Sequence, residues 1–361
     1  QFIIYGCDSL LNGVYTVGSP DADFATLEDA MFQLTTCGVN GPVELQFASG
    51  TYNSILLNQN IPGTDSVNTV CFTSMAANAD SVLFVSYSGV GLTLNGVSNF
   101  IFKRITIDAV YGTHGVEFFN TCSNILFYEC NIKASPTTTS SSYVAVRYYQ
   151  TSGVSTYLSN VRFIKNNISG GYYNFYFYYP CGSSTYMSQS SITIDSNILT
   201  DAYNSGIYSY YYAYYPSISY NTITSRLSSS SFYGIYMNYY TTVDTMQSNK
   251  IYVTASSTVY GFYLNKYQNY DMNYNARGPM FVANNEINIQ SLGGIYGIYA
   301  YGATYNSRWD FINNSVFTSA SSNNNYGLYF YPTTTTGYKS TVFNNHIHIQ
   351  TNSTAYPIYF P

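Results

Sequence analysis

Apolar side chains along this 361-residue chain fall in short β-branched and aromatic runs, with Ser, Thr, Asn and Gly between them. That is the pattern of brief strands joined by turns. The runs repeat. One recurrent element is Asn-x-Ile or a near variant: Asn166-Asn167-Ile168, Ser196-Asn197-Ile198, Asn221-Thr222-Ile223, Asn249-Lys250-Ile251, Asn285-Glu286-Ile287, Asn314-Ser315-Val316 and Asn345-His346-Ile347. Its apolar member recurs at intervals of 30, 25, 28, 36, 29 and 31 residues. A second element, Tyr-Gly-Ile-Tyr or similar, falls between copies of the first: Ser205 to Tyr208, Tyr233 to Tyr236, Tyr260 to Tyr263, Tyr296 to Tyr299, Tyr326 to Tyr329 and Tyr356 to Tyr359. Degenerate copies reach back through Tyr173 and Tyr143 to His114-Gly115-Val116-Glu117.

Units of about 30 residues with such strands cannot bury an apolar face alone, whereas stacked units can. The variable spacing suits a solenoid with loops of unequal length rather than a propeller. The fold predicted is all-β, a right-handed parallel β-helix, its hand following the general preference of parallel connections. A third strand per coil is expected in segments such as Val243 to Met246, Met280 to Val282 and Arg308 to Ile312. Stacked asparagines at Asn166, Asn221, Asn249, Asn285, Asn314 and Asn345 then form a structural ladder, repeating at the strand spacing of about 4.8 Å.

The beginning of the chain reads differently. Asp23 to Leu34 has helical spacing, with Thr26 or Asp23 as candidate N-cap, and Pro42 to Phe47 alternates as a strand. A short helix there would cap the open end of the solenoid and shield its unpaired strand edges. The division predicted is a cap with the first coils over residues 1–95 and repetitive coils with a tyrosine-rich outer face over 96–361.

Composition narrows the partners. Charged residues are 8% of the chain and aromatic ones 19%, with 44 Tyr, so the chain has ample apolar surface to fold. Twelve Lys plus Arg stand against seventeen Asp plus Glu, with no basic cluster, which argues against nucleic acid. No apolar run reaches the roughly 18 residues of a membrane span. The first residue is Gln1, which fits removal of a signal peptide or trimming of the chain. Cys7, Cys37, Cys71, Cys122, Cys130 and Cys181 are disulfide candidates for an oxidising compartment, with buried free thiols as the other reading; none is in a C-x-x-C pair, which argues against zinc.

The segments Tyr15 to Ser19, Asp23 to Leu27, Gly38 to Val43, Gly50 to Tyr52 and Asn68 to Phe72 resemble the N-terminal region of large secreted parallel β-helix proteins of Bacteroidota, within the pectin-lyase-like superfamily. The resemblance is specific over residues 15 to 110 and architectural beyond. It implies a secreted or cell-surface protein akin to adhesins and type IX secretion substrates. The C-terminal sorting domain of such substrates is absent after Pro361, which implies a fragment or a cleaved product. Asp8-Ser9-Leu10, Asp65-Ser66-Val67, Asp80-Ser81-Val82 and Asp244-Thr245-Met246 look like the short O-glycosylation signal of that phylum, and equally like ordinary turns.

Strand alternation with the Ile inward sends the Gly and second Tyr of each motif outward. The expected outer column is Glu117, Val146, Tyr176, Tyr208, Tyr236, Tyr263, Tyr299, Tyr329 and Tyr359. Two residues on, a second is Phe119, Tyr148, Tyr178, Tyr210, Asn238, Asn265, Tyr301 and Tyr331. Such a face suits a glycan, a protein or another copy of the chain, or else stabilises the coils alone. An enzyme of this fold needs paired carboxylates or a base with a cation, and these columns offer only Glu117. Asp271 with Arg277 are the best catalytic candidates and read more readily as a loop ion pair; His114, His346 and His348 make no triad. The expectation is a noncatalytic surface protein with no cofactor and no metal; the alternative is a polysaccharide lyase or glycoside hydrolase of the pectin-lyase-like type. Ice binding fits less well, because it calls for a flatter, Thr-richer array.

Overall fold

A computed structural model describes residues 9–227, 229–266, 279–302, 308–321, 323–332 and 339–361. The chain winds as a right-handed parallel β-helix, as the sequence predicts. Sheet I has twelve strands, from Leu11–Val17 to Thr341–Phe343; sheet II has eleven, from Gly50–Asn53 to His346–Thr351; sheet III has eleven, from Ile55–Leu57 to Ala355–Tyr359. A typical coil runs Ala213–Ser219 in sheet I, Thr222–Ser225 in sheet II and Phe232–Asn238 in sheet III before Thr241–Gln247 begins the next. The expected third strands are the sheet I strands Thr241–Gln247, Met280–Ala283 and Trp309–Ile312.

One core runs the length of the coils. Phe102, Phe127 and Phe163 stack at centroid distances of 4.9 and 4.9 Å along sheet I, all fully buried, and Phe127 and Phe163 meet Phe118 and Phe175 of sheet III edge-on. The first helix, Leu27–Cys37, follows Thr26, whose side chain accepts from Asp29 N–H while the Asp29 carboxylate accepts from the Thr26 backbone and hydroxyl. It turns Leu27, Ala30, Leu34 and Cys37 into the core beside Leu11–Val17. Asp23 instead accepts from the Thr16 N–H and hydroxyl at 2.7 and 2.8 Å. No helix of the described residues is long and apolar enough to cross a membrane.

The corner from sheet I to sheet II needs a left-handed residue, with φ of 57° at Lys165, 59° at Tyr220, 53° at Ser248 and 54° at Asn313. The next residue is the asparagine. Asn166, Asn197, Asn221, Asn249, Asn285, Asn314 and Asn345 form one hydrogen-bonded row, each Nδ2 donating to the following Oδ1 at 2.8–3.1 Å. Each Nδ2 also donates to a sheet I carbonyl, from Phe127 at one end to Phe311 at the other. One coil departs from the expected spacing: its ladder residue is Asn197 and its inward apolar residue is Leu199, while Ile198 is 49% exposed. Toward the N-terminus the same position holds Cys130, whose N–H donates to Asn166 Oδ1.

The cysteines correct one expectation. Cys71, Cys122, Cys130 and Cys181 are buried free thiols, held at unrelated positions of the coils; Cys122 and Cys130 donate to the carbonyls of Leu94 and Phe102. Cys37 is disulfide-bonded, and Cys7 lies outside the described residues.

Candidate contact surface

The outer face of sheet III is built from the Tyr-Gly-Ile-Tyr strands, and the glycine decides its shape. A Cβ on Gly206, Gly234, Gly261, Gly297 or Gly327 would fall 2.4–2.8 Å from the carbonyl oxygen of the residue below and 2.2–2.9 Å from the branched methyl of the sheet II isoleucine or valine. Both repeated motifs are therefore one packing unit, with the Asn-x-Ile side chain seated on the glycine. Gly and Ile both turn inward, which corrects the expected alternation, and the two tyrosines flanking them both turn outward.

Three columns result. The first, absent from the sequence expectation, is Tyr233, Tyr260, Tyr296, Tyr326 and Tyr356, with centroid steps of 5.0, 4.6, 4.8 and 4.9 Å. The second is Tyr176, Tyr208, Tyr236, Tyr263, Tyr299, Tyr329 and Tyr359, with steps of 5.3, 4.4, 4.7, 4.9, 5.0 and 5.2 Å. Rings of the first stand at 82–87° to those of the second within four coils and at 65° in the last. The third is Tyr149, Tyr178 and Tyr210, then Asn238 and Asn265, then Tyr301 and Tyr331. Register places Arg147 and Tyr149 where Val146 and Tyr148 were expected; Val146 and Tyr148 are core residues.

Most of these rings are half-buried by one another, Tyr149 and Tyr331 at 42% and 36% exposed being the most open of the third column. Because neighbours stack face to face along the solenoid, ring faces are consumed within the columns. Edges and hydroxyls meet the solvent. Burial raises the phenols of Tyr176, Tyr236 and Tyr299 to about 12, so the array is uncharged at neutral pH. Tyrosines also fill the corner after sheet III in left-handed conformation, at Tyr179, Tyr211 and Tyr239, and their rings stack at 4.4 and 5.0 Å.

At its N-terminal end the second column changes chemistry, Tyr176 being followed by Arg147 and Glu117 in register. Arg147 donates to the Glu117 carboxylate and lies 5.1 Å from the Tyr149 ring centroid. His114 Nε2 is 3.9 Å from Glu117 Oε1. Side chains of His114 and Glu117 are only 10% and 7% exposed. Burial, and then the Arg147 charge, lower the His114 imidazole to about 4. Burial pulls the Glu117 carboxyl up, against a smaller opposing pull from Arg147.

Known proteins add little to this geometry. No family model and no curated protein matches the chain. A solved structure does. The crystal structure of pectate lyase Pel9A is similar over 97% of this chain and 79% of that one, at 13% identity and a TM-score of 0.38. The likeness is one of fold, and nothing about a reaction follows from it.

Remaining candidates lie apart. Asp271 and Arg277 are outside the described residues. His346 and His348 lie on the last sheet II strand, where His348 stacks on Phe317 at 4.7 Å. Asp195 accepts from Ser217 and Ser219 on sheet I, away from the tyrosines. Among the described residues no three His, Cys, Asp or Glu converge as a metal site, and Glu117 stands without a second carboxylate in its columns.

Proposed function

We propose that this chain is a noncatalytic surface protein, secreted or displayed on a cell, that adheres to glycan chains through the tyrosine face of sheet III. The observation that carries the reading is the column from Tyr176 to Tyr359, a row of uncharged, mutually stacked phenols repeating at the coil spacing. Such a row presents hydroxyl donors and acceptors on rings already ordered by stacking, so little side-chain entropy is lost on binding. Each phenol hydrogen bond contributes only about 0.5–1.5 kcal/mol. Affinity then comes from many contacts made along one polymer.

A polysaccharide pulldown and glycan array with the purified chain tests this, with release of reducing or unsaturated sugar ends followed in parallel. The control is Tyr236→Phe/Tyr263→Phe/Tyr299→Phe, which keeps the stacks and removes three hydroxyls. Polysaccharide binding without product, weakened at least tenfold in the triple variant, supports the reading. Sugar release would replace it with the lyase or hydrolase alternative. Absence of glycan binding, with self-association through this face, would make the partner protein.

A further inference from the structure

Where the tyrosine columns stop, a cleft of about 310 Å³ opens between His114, Ser141, Ser142, Arg147, Tyr149, Tyr173 and Tyr176. Its floor is costly. The His114 imidazole that lines it is nine-tenths buried, with the equally buried Glu117 carboxylate 3.9 Å behind it, and His114 Nδ1 makes no hydrogen bond of ordinary geometry among the described residues. Packing does not demand them, since the register partners in the two neighbouring coils are Thr93 and Arg147 for Glu117 and Val90 and Val144 for His114. Buried polar groups kept in a cleft at the expense of stability are the signature of a binding site.

We infer that this cleft holds the terminal ring of a neutral sugar, a hexopyranose whose hydroxyls satisfy Arg147, His114 and the two serines at once, with Glu117 holding Arg147 in place from behind. The inference deepens the glycan reading of the same face and rests on it. Arg147 spends one donor on Glu117 and makes no other hydrogen bond among the described residues, so its remaining N–H groups are available to ligand oxygens. His114 and the seryl hydroxyls can donate or accept. A sugar ring with adjacent hydroxyls offers that mixture. The pocket is neutral overall, one cation against one anion with an uncharged imidazole, so it has no surplus charge for a carboxylate- or sulfate-bearing ligand. Its volume is at the bottom of the range for ligand pockets, about 300–1,000 Å³, which suits one ring. Tyr149 and Tyr173 on the rim provide apolar wall for the ring's C–H face.

The test uses the intact chain and a panel of methyl α- and β-glucopyranosides, galactopyranosides and mannopyranosides. Binding is followed by ligand-observed NMR and by the imidazole resonances of the three histidines. At least one neutral glycoside should saturate with a Kd on the order of 1 mM, moving the His114 signals and leaving those of His346 and His348 in place. Glu117→Gln and Arg147→Lys should each weaken that binding at least tenfold, whereas Tyr236→Phe/Tyr263→Phe/Tyr299→Phe should leave it unchanged. The unsubstituted protein decides the matter even where a variant folds poorly, through the His114 shift. Saturation that leaves His114 unmoved, no saturation by any glycoside, or tighter binding of a methyl uronoside than of its neutral parent would overturn the inference. Loss of polysaccharide binding in the triple variant with glycoside binding intact separates the column's role from the cleft's.

Discussion

Asn249 allows the ladder's energetics to be worked out bond by bond. Its Nδ2 donates to Ile218 O at 2.8 Å and Asn285 Oδ1 at 3.0 Å, and its Oδ1 accepts from Asn221 N at 3.1 Å and Asn221 Nδ2 at 3.0 Å. All four bonds are sealed from water. Asn249→Ala removes them and strands the Ile218 carbonyl and the Asn221 N–H in the core. At ~1–3 kcal/mol for each of the two stranded groups and about 1 kcal/mol net for each of the other two bonds, the loss is about 4–8 kcal/mol. Asn345 provides the control, because it also makes four bonds, to Asn314 N, Asn314 Nδ2, Phe311 O and Phe343 O at 2.8–3.1 Å. It lies half-buried in the last coil, where water can replace the missing amide. Asn345→Ala should therefore cost about 1–2 kcal/mol. Urea unfolding of both variants, followed by tyrosine fluorescence and circular dichroism, reads the difference in midpoint at constant m. Equal losses would refute the argument that desolvation, rather than bond count, sets the ladder's strength.

Two further outcomes follow from the packing. A Cβ at position 261 would meet Gly297 O at 2.4 Å and Ile287 Cγ2 at 2.7 Å, so Gly261→Ala should destabilise by about 1–3 kcal/mol in thermal melts, while Gly294→Ala, whose nearest neighbour is 3.4 Å away, should be near neutral. The thiols should be inert: burial raises Cys122 to about 11 and Cys71, Cys130 and Cys181 to about 12, so none should react with a disulfide reagent at pH 8 until denaturant is added. Rapid labelling of the native chain would contradict that placement.

The coil was legible because its inward positions recur with identical chemistry. Asn-x-Ile announces itself through the asparagine, the one uncharged side chain that sets an amide donor and a carbonyl acceptor this close to the backbone. Where the repeat is degenerate, reading it by eye slips by one residue: Ile198 stands where Leu199 belongs, and Val146 and Tyr148 stand where Arg147 and Tyr149 belong. A slip of one in a strand exchanges core for surface, so that small error hid the Arg147–Glu117 pair. The first tyrosine of each motif was missed for a different reason. Strict alternation holds only in a regular strand, and the glycine within each sheet III strand lets two successive residues face inward. The sequence signal that could have exposed this was the Gly itself, recurring in coil after coil just before the inward Ile, Phe or Leu and smaller than the strand's other inward residues.

Both repeated rows begin in the same stretch of chain, and that coincidence bears on how the face works. Proceeding toward the N-terminus, the ladder passes from Asn166 to Cys130, while the second tyrosine column passes from Tyr176 to Arg147 and Glu117 and then to Thr93 and Leu56. Polar rows at a corner and aromatic rows on a face are independent solutions to stacking, so nothing in packing requires them to end together. A polymer lying along the tyrosines does require an end. Past Arg147 the face carries no tyrosine, only Phe119, and a chain following the column arrives at the Arg147–Glu117 pair and the His114 imidazole beside it. The same repetition that gives each phenol only weak affinity makes register along the column ambiguous, since every coil offers a bound chain the same contacts. One non-repeating pocket at the terminus removes that ambiguity, which is why the glycoside test on His114, rather than any single tyrosine, bears most directly on how a ligand would be positioned.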